Sequence, residues 1–367
     1  MSIGLGIVGL GPAGVAMLGA AFRHDQVSVV AVADTDIEWL GPGSGEPRRY
    51  RSLDRLLEDD QVEAVHIATP TPMHFDHVLR ALSAGRDVIV EKPVAATARQ
   101  AEELMVRAAA FSRVVIVGHS EAYEPYVQAV RGAVASGAIG TPGMVVAEKF
   151  TDWMRRPRLP AEWDGASGGG LIRRQGVHQV DVVRTITGAD FSVREAKVRF
   201  DRERGGPGTY TAWLSGDDDL SAVITHDGVG RLCPAPARPS AQDTDEESKR
   251  SRRRALLRRV LEERSEVRLG AADRERILVL GTDGEIIASS RQVDVASGAG
   301  TRAVDLTAFA EGRHAVLDEL VAAVSGVSGT VHDLAWGYES LRTCEDIERA
   351  SRAAAAPSPP AGSASSR

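Results

Sequence analysis

The sequence predicts two domains in series: an α/β domain built on a parallel sheet, then an α+β domain with a mostly antiparallel open sheet. Three observations carry this. Apolar runs of strand length alternate with helical patterns through the first third of the 367 residues. Strand-like runs then follow one another, with short turns between several of them. A hydrophobic content of 43% at this length supports more than one core. The formal net charge of −7 provides no positive field to collect phosphates, so a general affinity for nucleic acid is excluded. The two cysteines, Cys233 and Cys344, have neither a paired nor a metal-ligand spacing, which points to a reducing cytoplasm and to no metal site. No apolar run is long enough to cross a membrane. The apolar stretch Met1 to Phe22 lacks the basic leader of a secretion signal.

Ile3 to Gly9 reads as a short buried strand, and Gly9-Leu10-Gly11-Pro12-Ala13-Gly14 follows at once, opening an apolar helix through Phe22. This is G-x-G-x-x-G in the strand-to-helix context of a Rossmann domain. The first glycine makes the tight turn, the second lets the backbone approach a pyrophosphate, and the third lets helix pack on strand. The helix N-terminus faces the anion. Val27 to Ala33 forms a second strand ending in Asp34, twenty positions past Gly14. A carboxylate there accepts both ribose hydroxyls of an adenosine and repels a 2′-phosphate, favouring NAD over NADP; Asp36 adds to the repulsion.

The alternation continues. Ser52 to Glu58 is a short helix, Val62 to Ala68 a buried strand, and Thr69-Pro70-Thr71-Pro72-Met73-His74 a turn into the next helix. Val88 to Glu91 is another strand; a capping box of Thr97 and Gln100 opens a helix to Phe111, before the strand Val114 to Val117. Strands separated by helices imply parallel pairing with right-handed crossovers. Lys92 follows the Val88 strand and is one of four lysines in an arginine-rich chain. Desolvation or a nearby cation can bring a lysine pKa toward neutrality, which arginine does not allow. Pro93 keeps Lys92 out of helical geometry. The lysine is thereby held at the carboxyl end of a strand, where open α/β sheets bind ligands.

Beyond residue 120 the pattern changes. Glu124 to Ser136 is an amphipathic helix stopped by Gly137 and Gly140, and Gly143 to Phe150 is a strand. Val193 to Asp201, Thr209 to Leu214, Leu220 to His226 and Ile277 to Ser289 are strand-like. One helix interrupts them, led by Gly168-Gly169-Gly170 and running to Ile186. In it Arg174, His178 and Asp181 fall at spacings of four and three and share a face. A histidine there can exchange a proton with a substrate oxygen or hydrogen-bond it; a purely structural histidine is the competing reading. Arginines at 155, 156, 158, 173 and 174 could grip a carboxylate bidentately, against the alternative of a solvated arginine-rich surface. The domains expected are residues 1–120 and 121–352, with an insertion at 232–270. Within it Pro234 to Arg264 passes from proline-rich to acidic to basic and reads as solvated and mobile. His314 to Val324 and Ala335 to Ala350 are closing helices, and residues 353–367, made mostly of Ala, Pro, Ser and Gly, form a disordered tail.

Gly9 to Gly14, Asp34, the Thr69-Pro70 turn with His74, and Glu91-Lys92-Pro93 together resemble the Gfo/Idh/MocA oxidoreductase family over nearly the whole chain. Gly176-Val177-His178-Gln179-Val180-Asp181 resembles that family's second catalytic motif. The motif usually carries an aspartate four residues before the histidine; here Arg174 stands in its place. Thr151-Asp152-Trp153, Arg155 to Arg158 and Arg174 to Gln179 most resemble the branch of phthalate 4,5-cis-dihydrodiol dehydrogenases, which oxidise a carboxylated cyclic cis-diol to a catechol with NAD. The resemblance implies NAD held by Gly9, Gly11, Pro12, Ala13, Gly14, Asp34, Thr69, Pro70, His74 and Glu91. It implies Lys92 and His178 as catalytic residues, and a small-molecule substrate met by Arg155, Arg158, Arg174, Gln175 and Asp181. It also implies a homodimer or homotetramer packed through the second domain's sheet. Two other readings stay open: a sugar, cyclitol or secondary-metabolite ketone reductase, and a catalytically silent nucleotide-binding regulator. Retention of both Lys92 and His178 counts against the regulator.

Overall fold

The computed structural model describes residues 2–37, 47–156, 160–164, 168–201, 206–229 and 274–355. Arg158, the insertion at 232–270 and residues 356–367 lie outside the described residues.

The first domain alternates as the sequence predicts: β1 (Ile3–Val8), α1 (Pro12–Ala21), β2 (Val27–Ala33), β3 (Arg48–Tyr50), α2 (Leu53–Leu57), β4 (Ala64–Ile67), α3 (His74–Ser83), β5 (Asp87–Glu91), α4 (Ala98–Ala108) and β6 (Val115–Gly118). Its six strands pair in parallel in the order β3-β2-β1-β4-β5-β6. Both faces are covered, so β1, β4 and β5 are apolar without alternation: Leu5, Ile7, Val65, Ile67, Val88 and Ile89 are all fully buried. Strand order reverses between β1 and β4, and the connections leaving these two strands diverge to open a crevice at the carboxyl edge. Ser52 and Thr97 cap α2 and α4, accepting from Arg55 N and Gln100 N. The edge strand β3 was not anticipated, because Arg48-Arg49-Tyr50 has no apolar pattern. It is held by polar contacts instead, Arg48 and Tyr50 both bonding to Asp59.

The second domain contains α5 (Pro125–Ala135), β7 (Pro142–Phe150), α6 (Pro160–Trp163), α7 (Val177–Thr187), β8 (Ser192–Phe200), β9 (Pro207–Ser215), β10 (Ser221–Asp227), β11 (Arg274–Gly281), β12 (Gly284–Ser289), β13 (Gln292–Ser297) and β14 (Gly300–Ala303). The strands form one sheet, β14-β13-β12-β11-β7-β10-β9-β8. Every pairing is antiparallel except that of β7 with β10. Ile277 to Ser289, expected as one strand, is a hairpin that turns at Thr282-Asp283 ahead of Gly284. β13 and β14 extend the sheet beyond what the sequence reading contained. One face packs on α5 and α7 in an apolar core. Gln179 of α7 pins the helix to it by donating to the carbonyls of Ala147 and Thr225, both at 2.9 Å, on the two parallel neighbours.

The last two helices correct the expected domain division. α8 (Gly312–Val324) and α9 (Leu334–Ala355) return to the first domain. Val316, Leu317 and Leu320 join Leu5, Ile7 and Met17 in one core, and Leu334 and Leu341 join that of Val65 and Val88 on the sheet's other face. Cys344 and Ile347 reach the second domain's core. Residues 121–352 are therefore not one independent lobe. α9 also runs to Ala355, past the expected start of the tail.

A buried polar network fastens this return. Asp181 accepts from Trp336 Nε1 at 2.6 Å, and its carboxylate lies 3.3 Å from His332 Nε2 and 3.5 Å from His119 Nδ1. The other His332 nitrogen is 2.8 Å from the Tyr123 hydroxyl, which donates to Glu319. Burial alone would lower the pKa of His332, but Asp181 and Glu319 raise it to about 9. A histidine whose folded pKa lies above its value of about 6.5 in the unfolded chain stabilises the fold fully below that pH, and the contribution is lost as pH rises through the folded value. Melting temperature should therefore fall between pH 6.5 and 9.5 more steeply for the native chain than for His332→Gln. Parallel curves in a calorimetric pH series would contradict the assignment.

Candidate active site

Three glycines open the site, each for a different reason. Gly9 has φ +88°, and a Cβ there would lie 2.6 Å from the Ala68 carbonyl oxygen. A Cβ on Gly14 would collide with the Gly9 carbonyl. A Cβ on Gly11 would meet nothing within 4 Å, so its glycine answers to no protein neighbour and leaves room for a close-lying group. Gly11 is the N-cap of α1 and makes no side-chain cap. Pro12 has no N–H to lose, and the first-turn amides of Ala13 and Gly14 remain as donors. Asp34 closes the turn from β2: one carboxylate oxygen accepts from Leu10 N at 2.7 Å and the other from Asp36 N at 3.0 Å. Open backbone, an uncapped helix start and a carboxylate at the end of β2 together fit a dinucleotide's pyrophosphate and ribose.

The chain leaves β4 through Thr69 and Pro70. Thr69 Oγ1 lies 3.1 Å from His77 Nδ1. His74 and Glu91, expected at the cofactor, both have protein partners at the ends of β4 and β5. His74 is 1% exposed, with its ring nitrogens 2.8 Å from the Thr69 carbonyl and 2.9 Å from the Pro93 carbonyl. Burial lowers its pKa to about 4, while the two carbonyls, which only a doubly protonated ring can bond at once, oppose the shift. Glu91 is buried at the end of β5, 3.5 Å from His66 Nε2. Burial would raise its carboxyl, but His66 and the charges of Arg313 and Lys92 outweigh this and hold it at about 2. It is a fixed anion beside Lys92.

Lys92 precedes a cis peptide bond to Pro93 and reaches across the crevice, donating from Nζ to the Arg174 carbonyl at 2.9 Å. Its acceptor lies on a π-helical turn, Ile172–Gly176, that leads into α7. A wider turn of this kind departs from the α-helical hydrogen-bond ladder and can free a carbonyl for such a bond. Burial, then the Arg174 guanidinium, lowers the lysine's pKa to about 7, against the opposing pull of Glu91 and Glu121. The amine therefore exchanges its proton near neutral pH. The turn is clamped by Arg173, which bonds to the Ala96 carbonyl at 3.0 Å and pairs with Glu348 at 3.0 Å and Glu345 at 3.4 Å on α9.

The other anticipated substrate residues divide. Arg174 sits at the crevice, 3.4 Å from Thr71 Oγ1 and 3.5 Å from Glu162. Gln175 is half-buried on the same turn. Arg155 is exposed on a 3₁₀ turn (Trp153–Arg155), and no contact to Lys92, Arg174 or His178 appears among the described residues. Asp181 is corrected: it is 0% exposed, enclosed by Trp336, His332 and His119, and fastens α9 rather than meeting a substrate. Sequence spacing put it on the face of His178 but said nothing of the helix packed over it.

His178 is 6% exposed, with Nδ1 sealed and 3.6 Å from Glu121 Oε2. Nε2 is the nitrogen left for a ligand. Burial, then the charges of Lys92 and Lys149, hold the ring well below its ordinary pKa and neutral. Glu121 and Lys149 are functional candidates that the sequence reading missed. Glu121 comes from a 3₁₀ turn (Ser120–Tyr123) after β6. Lys149 Nζ touches both Glu121 oxygens, at 2.6 and 2.7 Å, and Glu275 Oε1 at 2.6 Å, while Tyr126 donates to the other Glu275 oxygen. Two carboxylates thus share one buried ammonium. Burial would raise both, but Lys149 and Tyr126 keep Glu275 below its usual value. Glu121 is raised to about 7, by burial and by the Glu275 charge, although Lys149 opposes it. Strand parity could have found Lys149, since Val145, Ala147 and Lys149 alternate inward on β7; Glu121 sits in a turn with no such signal.

Among the described residues, one other group has ligand-like spacing, His24, His314 and Asp318. Gln26 N–H donates to His24 Nδ1 at 3.1 Å, which puts the neutral ring's proton on Nε2, facing Asp318. That ring has no second lone pair for a metal.

Residues 3–119 match the Gfo/Idh/MocA oxidoreductase family through its NAD-binding Rossmann domain, and residues 127–233 match that family's C-terminal domain. The chain is 27% identical to the 1-carboxy-3-chloro-3,4-dihydroxycyclohexa-1,5-diene dehydrogenase of Comamonas testosteroni, over 93% of this chain and 92% of that one. It is 33% identical to an inositol 2-dehydrogenase of Rubrobacter xylanophilus over 50% and 51% of the two chains. A crystal structure from Bordetella bronchiseptica RB50 superposes with a TM-score of 0.82 at 28% identity, covering 96% of this chain and 99% of that one. With both domains matched in order, this chain belongs to the Gfo/Idh/MocA family of NAD-binding oxidoreductases.

Proposed function

We propose that the protein oxidises a secondary alcohol of a small cyclic substrate carrying a carboxylate, of the dihydrodiol type. The observation that carries this is Lys92, an amine brought to about 7 and held at the crevice between the domains beside Arg174. In its neutral form it takes the proton of the reacting hydroxyl. Bound NAD supplies the acceptor for the hydride leaving the same carbon. His178, neutral and with Nδ1 toward Glu121, offers Nε2 as acceptor for a substrate hydroxyl and fixes its direction. In the reverse direction the Lys92 ammonium protonates the forming alkoxide.

Arg174 supports an anionic substrate. Its guanidinium has only a hydroxyl at 3.4 Å and a carboxylate at 3.5 Å as partners among the described residues, both longer than a well-formed ionic hydrogen bond. A substrate carboxylate gripped by the fork would improve on them. The Comamonas relative, which matches along nearly its whole length, is named for a carboxylated cyclic dihydroxy compound. The inositol relative supports the second reading, a cyclitol, for which Arg174 would hold a hydroxyl. Self-assembly through the sheet is part of the same proposal: Phe200 and Trp213, 53% and 49% exposed, suit a second copy of the chain.

A panel of cyclic cis-diol acids, their carboxyl-free counterparts and myo-inositol, followed by absorbance of reduced nicotinamide, separates the readings. Arg174→Gln should raise KM for the acids by about 10-fold to 100-fold and leave neutral diols nearly unchanged. Equal effects on both would remove the anionic substrate. Lys92→Ala should lower kcat by about 10² to 10⁴ with NAD affinity kept. Because the accepting amine must be unprotonated, the oxidation rate should rise with pH through about 7. A Gly11→Ala chain should keep its melting temperature and lose NAD affinity by titration, whereas Gly14→Ala should lose both, since only the second Cβ collides with the protein.

A further inference from the structure

We infer that Glu121 is the positioning carboxylate of this site: it holds the proton of His178 on Nδ1, so that the lone pair of Nε2 faces the substrate, in place of the acid displaced by Arg174. This rests on the dehydrogenase reading above for its kinetic consequences but not for its geometry. The Glu121 carboxylate lies 3.6 Å from His178 Nδ1, a nitrogen sealed from solvent with no hydrogen-bond partner of its own. An unpartnered buried imidazole nitrogen beside a carboxylate is best satisfied by a proton between them. The acid comes from a different element than the helix that carries the histidine, which is why helical spacing shows only a cation.

The turn bearing Glu121 is held from several sides. α8 starts so close to it that a Cβ on Gly312 would collide with the Ser120 carbonyl. Tyr123, at the end of the turn, is shared by Glu319 and His332. Glu124 N bonds back to the Glu121 carbonyl at 3.1 Å.

Glu121 is a counterion of Lys149, but that ammonium has a second carboxylate in Glu275 at 2.6 Å, itself bonded by Tyr126, so neutralising Lys149 does not by itself call for both. Two carboxylates on one buried cation are costly to keep both ionised, and the cost shows in the raised pKa of Glu121. The groups facing Glu121 are Lys92 after β5, Lys149 on β7, Glu275 on β11, His178 on α7, Tyr126 on α5 and Tyr210 on β9. His119 after β6 and Arg313 on α8 also act on His178. A quarter of the Glu121 side chain remains accessible, so the carboxylate can trade its proton with solvent. With Glu121 raised to about 7, like Lys92, two groups must lose a proton for the oxidation to run.

The test uses the full chain, Glu121→Gln, Glu121→Asp and His178→Gln. With a diol from the panel, log kcat of the native chain should fall toward acid pH with a slope approaching two. In Glu121→Gln the slope should drop to one and kcat should fall by about 10-fold to 100-fold with KM within about threefold. Glu121→Asp should restore the steeper slope. In a His178→Gln background the Glu121 substitution should cost nothing further, which a purely structural role would not produce. Independently of turnover, nitrogen NMR of histidine-labelled protein without substrate should show His178 protonated at Nδ1 above pH 7, and that preference should be lost in Glu121→Gln. No turnover of any diol by the native chain would remove the dehydrogenase reading and leave the NMR result to decide the role of Glu121. An unchanged slope with turnover present, or an unchanged imidazole spectrum, would overturn the inference.

Discussion

The hydrogen bond from Lys92 Nζ to the Arg174 carbonyl spans the crevice between the two domains, and most of the site's chemistry depends on it. A carbonyl acceptor favours the ammonium, and so does Glu91. Burial and the guanidinium of the very residue that offers the carbonyl oppose it. Bringing an amine from 10.5 down to about 7 leaves both its forms populated at neutral pH. One residue thus supplies both the tether and the main charge that loosens the proton. The carbonyl that accepts this bond belongs to a π-helical turn, where the backbone departs from the α-helical pattern.

Around that bond anions and cations are interleaved, with one like-charged pair, Lys92 and Arg174. Glu91 lies beside Lys92, Arg174 next, then His178, Glu121, Lys149 and Glu275. Each of the ionised groups has an opposite neighbour, and the two groups left near neutrality, Lys92 and Glu121, stand on either side of a neutral imidazole. Perturbed pKa values of this kind, set by burial and by specific charge partners, are expected where groups do acid and base work near neutral pH. A second network, centred on Asp181 and His332, lies behind the first and ties the helix of His178 to α9.

The sequence was most informative where one residue type has one physical reason to be present. Gly9, Gly11 and Gly14 could be given separate roles from spacing alone, and their surroundings differ as those roles require. Lys92 stood out because lysine is rare in this chain. The hairpin inside Ile277 to Ser289 was missed, because the apolar run on either side of Thr282-Asp283 reads as one strand. Other features were not legible. A choice between α and π winding is set by backbone bonding, not by side-chain type, so the acceptor for Lys92 had no signature. Glu121 and His332 sit in turns, and their partners are far away in the chain. Asp181 showed a helical face but not its covering, because periodicity gives which side of a helix is buried and not against what.

The same limit hid the destination of the closing helices, and their destination bears on how the chain is made. Val316, Leu317 and Leu320 complete the packing over Leu5, Ile7 and Met17, so a strand synthesised before the second domain is covered by a helix synthesised after it. During translation, the nucleotide-binding half emerges with one side of its sheet covered only in part, by α1, and finishes only once the second domain has passed through the ribosome. The order of synthesis makes that domain a bystander to an unfinished neighbour, and a stop codon ahead of Gly312 would leave the amino-terminal half lacking part of its own interior.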